Sequence, residues 1–148
     1  MTEEEKEQLL RTAAEQFIPF NKHLGIQYHH GDPIQLSLNN RPELVGNAVR
    51  NILHGGVIAT ILDVAGGIAI MKNMVDTLEF ETQQGMIDQF ARSGTVDLRV
   101  DYLRPGRGQT FTATGEIIRD GKRITVTRMQ LQNEEGTLIA VGTGTYVV

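Results

Sequence analysis

The 148-residue sequence contains no cysteine and no apolar run long enough to cross a bilayer. The absence of cysteine excludes disulfides, thiolate metal sites and a cysteine nucleophile. The N-terminus also lacks the basic, apolar and small-residue segments that together mark a secretory signal. We therefore expect a cytoplasmic protein without membrane insertion, and the sequence predicts neither a metal site nor a cofactor.

Charge is distributed unevenly along the chain, whose formal net charge is -4 at pH 7. Residues 1–90 contain six Lys or Arg and twelve Asp or Glu. Residues 91–148 contain eight Lys or Arg and six Asp or Glu. This balance argues against a general nucleic-acid-binding surface but leaves local positive charge for the phosphates of a small ligand. At this length we expect one domain that spans residues 1–148.

The most informative stretch is residues 57–71, which is apolar except for Thr60 and Asp63. It predicts a helix that is buried on most sides inside a domain. Its fifteen residues, at about 1.5 Å each, are too short to span a bilayer. A lone carboxylate in such a helix is costly unless it is paired, hydrogen-bonded or protonated. Asp63 is therefore either a satisfied structural residue or a functional one.

The residues before this run, His54, Gly55 and Gly56, favour a functional interpretation of Asp63. A helix N-terminus has free N–H groups and partial positive charge, and glycine lets a ligand oxygen approach the backbone. Such an end can polarise a carbonyl and stabilise an oxyanion. Gly55 and Asp63 are eight residues apart, which is roughly 12 Å along one helix axis. One substrate carbonyl therefore cannot contact both residues of the same chain. If both residues act on one substrate, one of them must come from the same helix of a second subunit, which runs antiparallel across a two-fold axis.

The rest of the chain predicts an antiparallel sheet and two further helices. Thr2 and Glu5 form a capping-box pattern, and the apolar stripe that follows predicts a helix that ends near Pro19. A short helix is expected near residues 82–91, and residues 40–53 are expected to form a loop. Alternating segments bounded by turn residues predict strands at 24–31, 33–39, 95–102, 110–118, 124–132 and 138–147. The expected fold class is α+β, with five or six antiparallel strands wrapped around one long central helix and an extra N-terminal helix.

Two motifs resemble a known family. The first is Asn-x-x-His-Gly-Gly-Val-Ile-Ala-x-x-Leu-Asp over residues 51–63, and the second is Gly-Thr-Val-Asp-Leu-Arg-Val-Asp-Tyr-Leu-Arg-Pro-Gly over residues 94–106. Together they resemble the hotdog-fold acyl-CoA thioesterases of the PaaI type, and within these the YigI-like medium- and long-chain acyl-CoA thioesterases. The predicted order of elements agrees with a hotdog fold along nearly the whole chain. The resemblance implies an enzyme that hydrolyses medium- to long-chain acyl-CoA to free fatty acid and CoA.

The resemblance also implies roles for individual residues. The backbone N–H of Gly55, with that of Gly56 as a second candidate donor, would stabilise the oxyanion. Asp63 of the partner subunit would activate a water as general base or attack the thioester directly as nucleophile. His54 would orient the carbonyl or the loop. Thr95 would either assist the water or serve only as a strand residue.

The placement of other ligand contacts is less specific. Either Asn47 or Asn51 would position the water or the substrate, and both residues are also common in turns. Four basic residues are candidates for contacts with the CoA phosphates: Arg104, Arg107, Lys122 and Arg123. The Gly66-Gly67 pair would leave space for a long acyl chain. The segment 72–93 would either cover the acyl end of the pocket or pack at the edge of the sheet.

Some polar patterns favour structural roles. His29 and His30 are adjacent on a predicted strand, so their rings point to opposite faces, which argues against a shared metal ion. Asp97 and Asp101 lie on one face of the strand 95–102 and are expected to be solvated. Val96 and the apolar residues at every second position after it are expected on the other face.

Three other functions compete with a thioesterase. A hotdog dehydratase or hydratase would use a histidine paired with a carboxylate in a loop pattern that this sequence lacks. A non-catalytic acyl-CoA sensor would keep the pocket but add a DNA-binding region, whereas residues 1–20 predict only one helix. A scaffold or partner-binding hotdog protein would have no function for the Asp63 carboxylate, and the cost of burying this charge would be unexplained. We expect a homodimer at least, with a homotetramer as the alternative assembly.

Overall fold

The computed structural model describes residues 1–148 and contains eight strands and four α-helices. The strands are β1 Gln27–His29, β2 Ile34–Asn39, β3 Val45–Asn47, β4 Ile52–Leu53, β5 Gly94–Tyr102, β6 Thr110–Asp120, β7 Ile124–Asn133 and β8 Leu138–Val147. The helices are α1 Glu3–Thr12, α2 Pro19–Leu24, α3 Gly55–Thr77 and α4 Gln83–Ala91. Six strands form one antiparallel sheet in the order β1-β2-β6-β7-β8-β5, and it packs around α3. The expected hotdog arrangement is confirmed, as is the short helix predicted near residues 82–91.

Helix α3 extends beyond the apolar run that predicted it. It has 23 residues and is long and apolar enough, by length and composition, to cross a membrane. The length of the apolar run alone therefore does not exclude a membrane span. Packing shows the role of the helix: Ile61, Leu62 and Ala65 are fully buried in a cluster of 29 residues that joins α3 to the inner face of the sheet. Helix α3 is thus the core helix of this fold.

The N-terminal helix has its predicted cap but ends at Thr12, before the predicted end near Pro19. Thr2 Oγ1 accepts the Glu5 N–H at 3.1 Å, and the Glu5 carboxylate accepts the Thr2 N–H at 2.7 Å. The chain continues past α1 as a π-helical turn, Ala13–Phe17, and a new helix, α2, begins at Pro19. Helix α2 ends at Gly25, which has a left-handed φ of 71°. The strand predicted from residue 24 therefore begins only after this turn.

The segment 40–53, predicted as a loop, contains regular structure. A short 3-10 turn, Pro42–Leu44, leads into a hairpin of β3 and β4. These strands have only three and two residues, too few for an alternating pattern to be recognised. The hairpin lies directly before α3, and the backbone of Gly46 packs so closely against His54 that a side chain there would collide with it.

Strand β5 lies at an edge of the sheet and contains a β-bulge. Thr95 pairs with Tyr146 of β8 and Asp97 pairs with Thr145, so Val96 is an extra residue in the ladder. The bulge leaves Val96 58% exposed, whereas regular alternation predicted an inward side chain. Because β5 pairs only with β8, its other edge is free.

Candidate active site

His54 is the N-cap of α3. Its backbone is extended, with φ −60° and ψ 135°, and its Nδ1 accepts a hydrogen bond from the Gly56 N–H at 2.8 Å. Nδ1 can accept only when the ring proton is on Nε2, so the Nε2–H is left as a donor. The same bond occupies the Gly56 N–H, the second candidate donor for an oxyanion. Of the two roles predicted for His54, orienting the loop is the one that this contact supports.

Gly55 is the first residue of α3, and its N–H has no hydrogen-bond partner within the protomer. Unpaired N–H groups of the first turn carry the positive end of the helix dipole. The Gly55 carbonyl accepts the Tyr102 hydroxyl at 2.7 Å, which holds this residue against β5. The start of α3 therefore presents one free, fixed backbone donor.

Two loops hold the start of α3 in place. The His54 N–H donates to the Leu44 carbonyl at 2.8 Å, and the Leu53 N–H donates to the Gly106 carbonyl at 3.0 Å. Gly106 belongs to the β5–β6 turn, which contains the end of the second sequence motif. The two motifs, which are far apart in the sequence, are therefore joined directly through the backbone.

Glu134 fixes the β5–β6 turn from the other side. It lies in the β7–β8 turn, and its carboxylate accepts the Gln109 N–H at 3.0 Å and the Thr110 N–H at 3.3 Å. Hydrogen bonds from its own backbone N–H and from those two groups lower the pKa of Glu134 below its ordinary value. The ionised carboxylate thus supports, through the turn, the backbone that positions Gly55.

Asp63 is half-buried in the protomer, rather than buried on most sides as the apolar run predicted. Its Oδ1 accepts the Thr95 hydroxyl at 2.8 Å and the Tyr146 hydroxyl at 3.1 Å. No group of the protomer donates to Oδ2. The structure therefore brings Thr95 and Asp63 together, and it leaves one carboxylate oxygen free to take a proton from a water.

Tyr146 is a residue of this site that sequence analysis missed. Its one hydroxyl proton is shared between Oδ1 and the backbone carbonyl of Asp63, which lies 2.9 Å from the hydroxyl oxygen, and the residue is only 3% exposed. Burial, and then the negative charge of Asp63, raises the pKa of the Tyr146 hydroxyl, so it remains a protonated donor. The hydroxyl packs against Gly66, where any side chain would collide with it. Gly66 therefore makes room for Tyr146 and not, as predicted, for an acyl chain.

The register of the sheet explains why Thr95 and Tyr146 converge. The two residues are cross-strand partners in β5 and β8, and the bulge at Val96 lets Thr95 face the helix. This pairing joins residues far apart in the chain, so a single sequence does not reveal it. One local signal was present: Gly142 and Gly144 precede Tyr146 at every second position, a pattern typical of a strand face that lies close to another backbone.

A cavity of about 220 Å³ adjoins the Asp63 side chain. Its walls include Gly67, Ile68 and Phe90, and most of its lining is hydrophobic. A Cβ added at Gly67 would meet nothing within 4 Å, so the space that the sequence assigned to the glycine pair exists at its second member. An apolar cavity with a few convergent polar groups is the usual form of a small-molecule site.

Gly55 and Asp63 do not meet within one chain. Gly55 and Asp63 lie on the same helix, eight residues and therefore about 12 Å apart along its axis. The side of α3 opposite its most buried face carries half-buried residues at alternating spacings of three and four: Val57, Thr60, Val64, Gly67 and Met71. These residues form a stripe of α3 that the sheet of the same chain does not cover completely.

Comparisons with known proteins identify the family of this chain. Residues 50–140 match the family model of the thioesterase superfamily. The chain belongs to the thioesterase superfamily. It is 44% identical over 147 residues to the Escherichia coli K12 protein named medium/long-chain acyl-CoA thioesterase YigI, covering 96% of this chain and 95% of the relative. The Salmonella typhimurium protein of the same name matches with the same identity and coverage.

Solved structures support the assignment of this thioesterase to the hotdog fold. A crystal structure of a Shewanella oneidensis protein related to the thioesterase superfamily has a TM-score of 0.88 and 44% identity, and the match covers 99% of both chains. The Escherichia coli PaaI protein shares the fold, with a TM-score of 0.75 at 20% identity over 97% of this chain and 93% of that chain.

Both asparagines predicted near the thioesterase site are exposed: Asn47 is the last residue of β3, and Asn51 lies in the β3–β4 turn. Asn47 Oδ1 accepts the Arg50 N–H at 3.2 Å. Asn51 has a positive φ of 53°, which asparagine tolerates better than most residues. Both residues thus have the turn role that was one of the alternatives, and neither contacts Asp63 in the protomer. A contact with water or substrate stays a prediction for both.

The four basic candidates for CoA binding divide into two pairs. Arg104 and Arg107 lie in the β5–β6 turn, beside the start of α3. Lys122 and Arg123 lie in the β6–β7 turn, near the last turn of α3. Arg104 donates to the Leu138 carbonyl at 2.9 Å, whereas the Arg107 guanidinium makes no hydrogen bond within the protomer. Arg107 is therefore the cation best placed to serve a ligand at this end of α3.

Proposed function

We propose that this thioesterase hydrolyses medium- to long-chain acyl-CoA to a free fatty acid and CoA, as a single cytoplasmic domain. The observation that carries the proposal is the Asp63 carboxylate, held on one oxygen by two hydroxyl groups and open on the other. The unpaired Gly55 N–H is a suitable donor to an oxyanion. The substrate class follows from the YigI relatives, whose name specifies medium- and long-chain acyl-CoA.

The proposed active form is a homodimer in which the first turns of two α3 helices, from Gly55 to Asp63, pack antiparallel. If the two-fold axis passes beside residue 59, halfway between the two groups, Asp63 of one subunit faces Gly55 of the partner subunit. The free edge of β5 allows the two sheets to join, which would remove an unpaired strand edge. Pairing of two such dimers into a homotetramer would leave this site unchanged.

In the general-base form of the reaction, a water at Asp63 Oδ2 attacks the thioester carbonyl carbon and Asp63 takes the proton. The carbonyl oxygen becomes an oxyanion, which the Gly55 N–H of the partner subunit stabilises. The C–S bond then breaks, the proton passes from Asp63 to the sulfur, and fatty acid and CoA leave. The hydroxyls of Thr95 and Tyr146 hold Oδ1, so Oδ2 is the oxygen that reacts.

In the nucleophilic form, Asp63 Oδ2 attacks the carbonyl carbon and expels the CoA thiolate, leaving a mixed anhydride that water hydrolyses. A single turnover in ¹⁸O-labelled water, analysed by mass spectrometry, tests for an anhydride that water attacks at the carboxyl carbon of Asp63. Label only in the fatty acid is expected of the general-base route. Label in the carboxylate of Asp63 would require the anhydride.

Thiol release from acyl-CoA by wild-type protein and by Asp63→Asn tests the proposed function. Because the protein has no cysteine, a thiol reagent detects only the CoA product. We expect the Asn variant to lose about 10²-fold or more in kcat, as is usual for a general base, without a change in Tm. Asp97→Asn, an exposed carboxylate on β5, is the matched control and should keep the wild-type rate. Binding of acyl-CoA without turnover by any of these proteins would contradict the proposal and favour a non-catalytic acyl-CoA-binding protein.

A further inference from the structure

A larger groove adjoins the cavity beside Asp63. The groove has a volume of about 410 Å³ and lies between α4 and the N-terminal helix with its π-helical turn. Four residues line both spaces: Ile18, Met71, Phe90 and Ser93. The two spaces are therefore adjacent, and a ligand that begins at the carboxylate can extend into the groove along one shared wall.

The lining of the groove suits an uncharged, apolar occupant. Eight of its eleven lining residues are hydrophobic, and none carries a charge. Other depressions on the protomer contain charged side chains, such as Glu4, Lys72 or Lys122. Phe17 at the groove is 67% exposed, and covering its ring with an apolar ligand would be favourable. These properties favour a hydrocarbon chain over a polar ligand.

We propose that the groove binds the distal part of the substrate's acyl chain, an inference that rests on the proposed function. The thioester would lie at Asp63, and the chain would pass Met71 and Phe90 before it enters the space between Ala13 and Ile87. A methylene group occupies about 30 Å³, close to the volume of one molecule in liquid water. On this basis the groove has room for on the order of ten carbons. This capacity suits medium and long acyl chains and is not needed by short ones.

The subunit that contributes Asp63 also contributes the groove, whereas the Gly55 N–H and Arg107 come from the partner subunit. Chain-length selectivity and recognition of CoA therefore depend on different subunits. Selectivity is set by the residues of the N-terminal helix and α4 that face each other across the groove. The segment 72–93, for which the sequence left two roles open, thus forms one wall of the acyl site through α4.

Ala91→Phe tests the groove. Ala91 is exposed at the end of α4 and lines the groove, so a phenyl ring there fills the space without entering the core. Gln84→Phe is the control, because Gln84 is exposed on the same helix but does not line the groove. The measurement is kcat/KM for butyryl-, octanoyl-, lauroyl- and palmitoyl-CoA. We expect Ala91→Phe to keep the butyryl value and to lose about fourfold for each methylene displaced, or on the order of 10² for three or four.

Thr12→Phe, on the opposite wall, should reproduce the selective loss. If both folded variants lose activity equally at every chain length, or lose none with palmitoyl-CoA, the groove is not the acyl site and the proposed function is unaffected. If the wild-type protein turns over no acyl-CoA, the proposed function itself fails. In that case binding of the fluorescent fatty acid cis-parinaric acid tests the groove directly. Both groove variants should bind it more weakly than Gln84→Phe does. Equal binding by all three variants would overturn the assignment of the groove to the acyl chain.

Discussion

Replacement of Gly55 by proline should delete one hydrogen-bond donor and leave the fold in place. Gly55 is the first residue of α3, a position that proline favours because the N–H there has no partner in the helix. The preceding residue, His54, is already extended, with ψ 135°, and so does not occupy the α region that a following proline disfavours. A Cβ at position 55 would lie 3.4 Å from the Tyr102 ring, an ordinary contact.

The loss of activity should be large because no other donor replaces the Gly55 N–H. The Gly56 N–H is engaged by His54 at 2.8 Å. Removal of an oxyanion donor typically lowers kcat by about 10²- to 10³-fold, and we expect that loss in thiol release from octanoyl-CoA. The Tm should be unchanged or slightly raised, since proline restricts the unfolded chain.

Gly55→Ala is the matched control, because it adds the Cβ but keeps the N–H, and it should retain most of the wild-type rate. A folded Gly55→Pro variant with more than about a tenth of the wild-type kcat would contradict the role of Gly55 as oxyanion donor. An equal loss in Gly55→Ala would show that space at this position, and not the N–H, is what the reaction needs.

Three other changes test the residues around the site. Tyr146→Phe should lower kcat, because Oδ1 of Asp63 loses one of its two hydroxyl donors and the carboxylate is then held less firmly; an unchanged kcat would count against this. Arg107→Ala should raise KM for acyl-CoA by about two- to fivefold, which is the effect expected from the loss of one exposed ion pair. The N-acetylcysteamine thioester of the same acid lacks the CoA nucleotide, so its KM should not change. Glu134→Gln should lower Tm at pH 7, and the difference from wild type should shrink toward pH 3. The folded state holds the pKa of Glu134 below its ordinary 4.5, so its contribution is present above pH 4.5 and is lost as pH falls through the lower folded value; a constant difference would contradict this.

The helices and long strands could be predicted because their signals are local. Apolar residues at helical spacing and the Thr2 cap placed α1, and turn residues separated β6, β7 and β8. The β3–β4 hairpin escaped because its strands are two or three residues long. Helix α2 was not predicted because its six residues form fewer than two helical turns, too few for a helical spacing of apolar residues to be recognised.

The candidate site was predictable only in part, for a related reason. Asp63 and Gly55 stand out because a charge inside an apolar helix and a glycine at a helix start are visible along the chain. Tyr146 did not, because its contact with Asp63 depends on the register between strands and on the bulge at Val96. The half-buried state of Asp63 also differs from the prediction, since the apolar run is covered by the sheet on one side only.

A mixed dimer distinguishes a site shared between subunits from a site contained in one. Asp63→Asn and Gly55→Pro chains, each with a different affinity tag, are coexpressed, and the heterodimer is purified through both tags. In each parent homodimer both sites lack the same residue, either Asp63 or the Gly55 N–H, so both homodimers should be inactive. In the heterodimer one site carries both substitutions and the other carries neither, so about half of the wild-type activity per dimer should return. If Asp63 and Gly55 acted within one subunit, both sites would be defective and no activity would return.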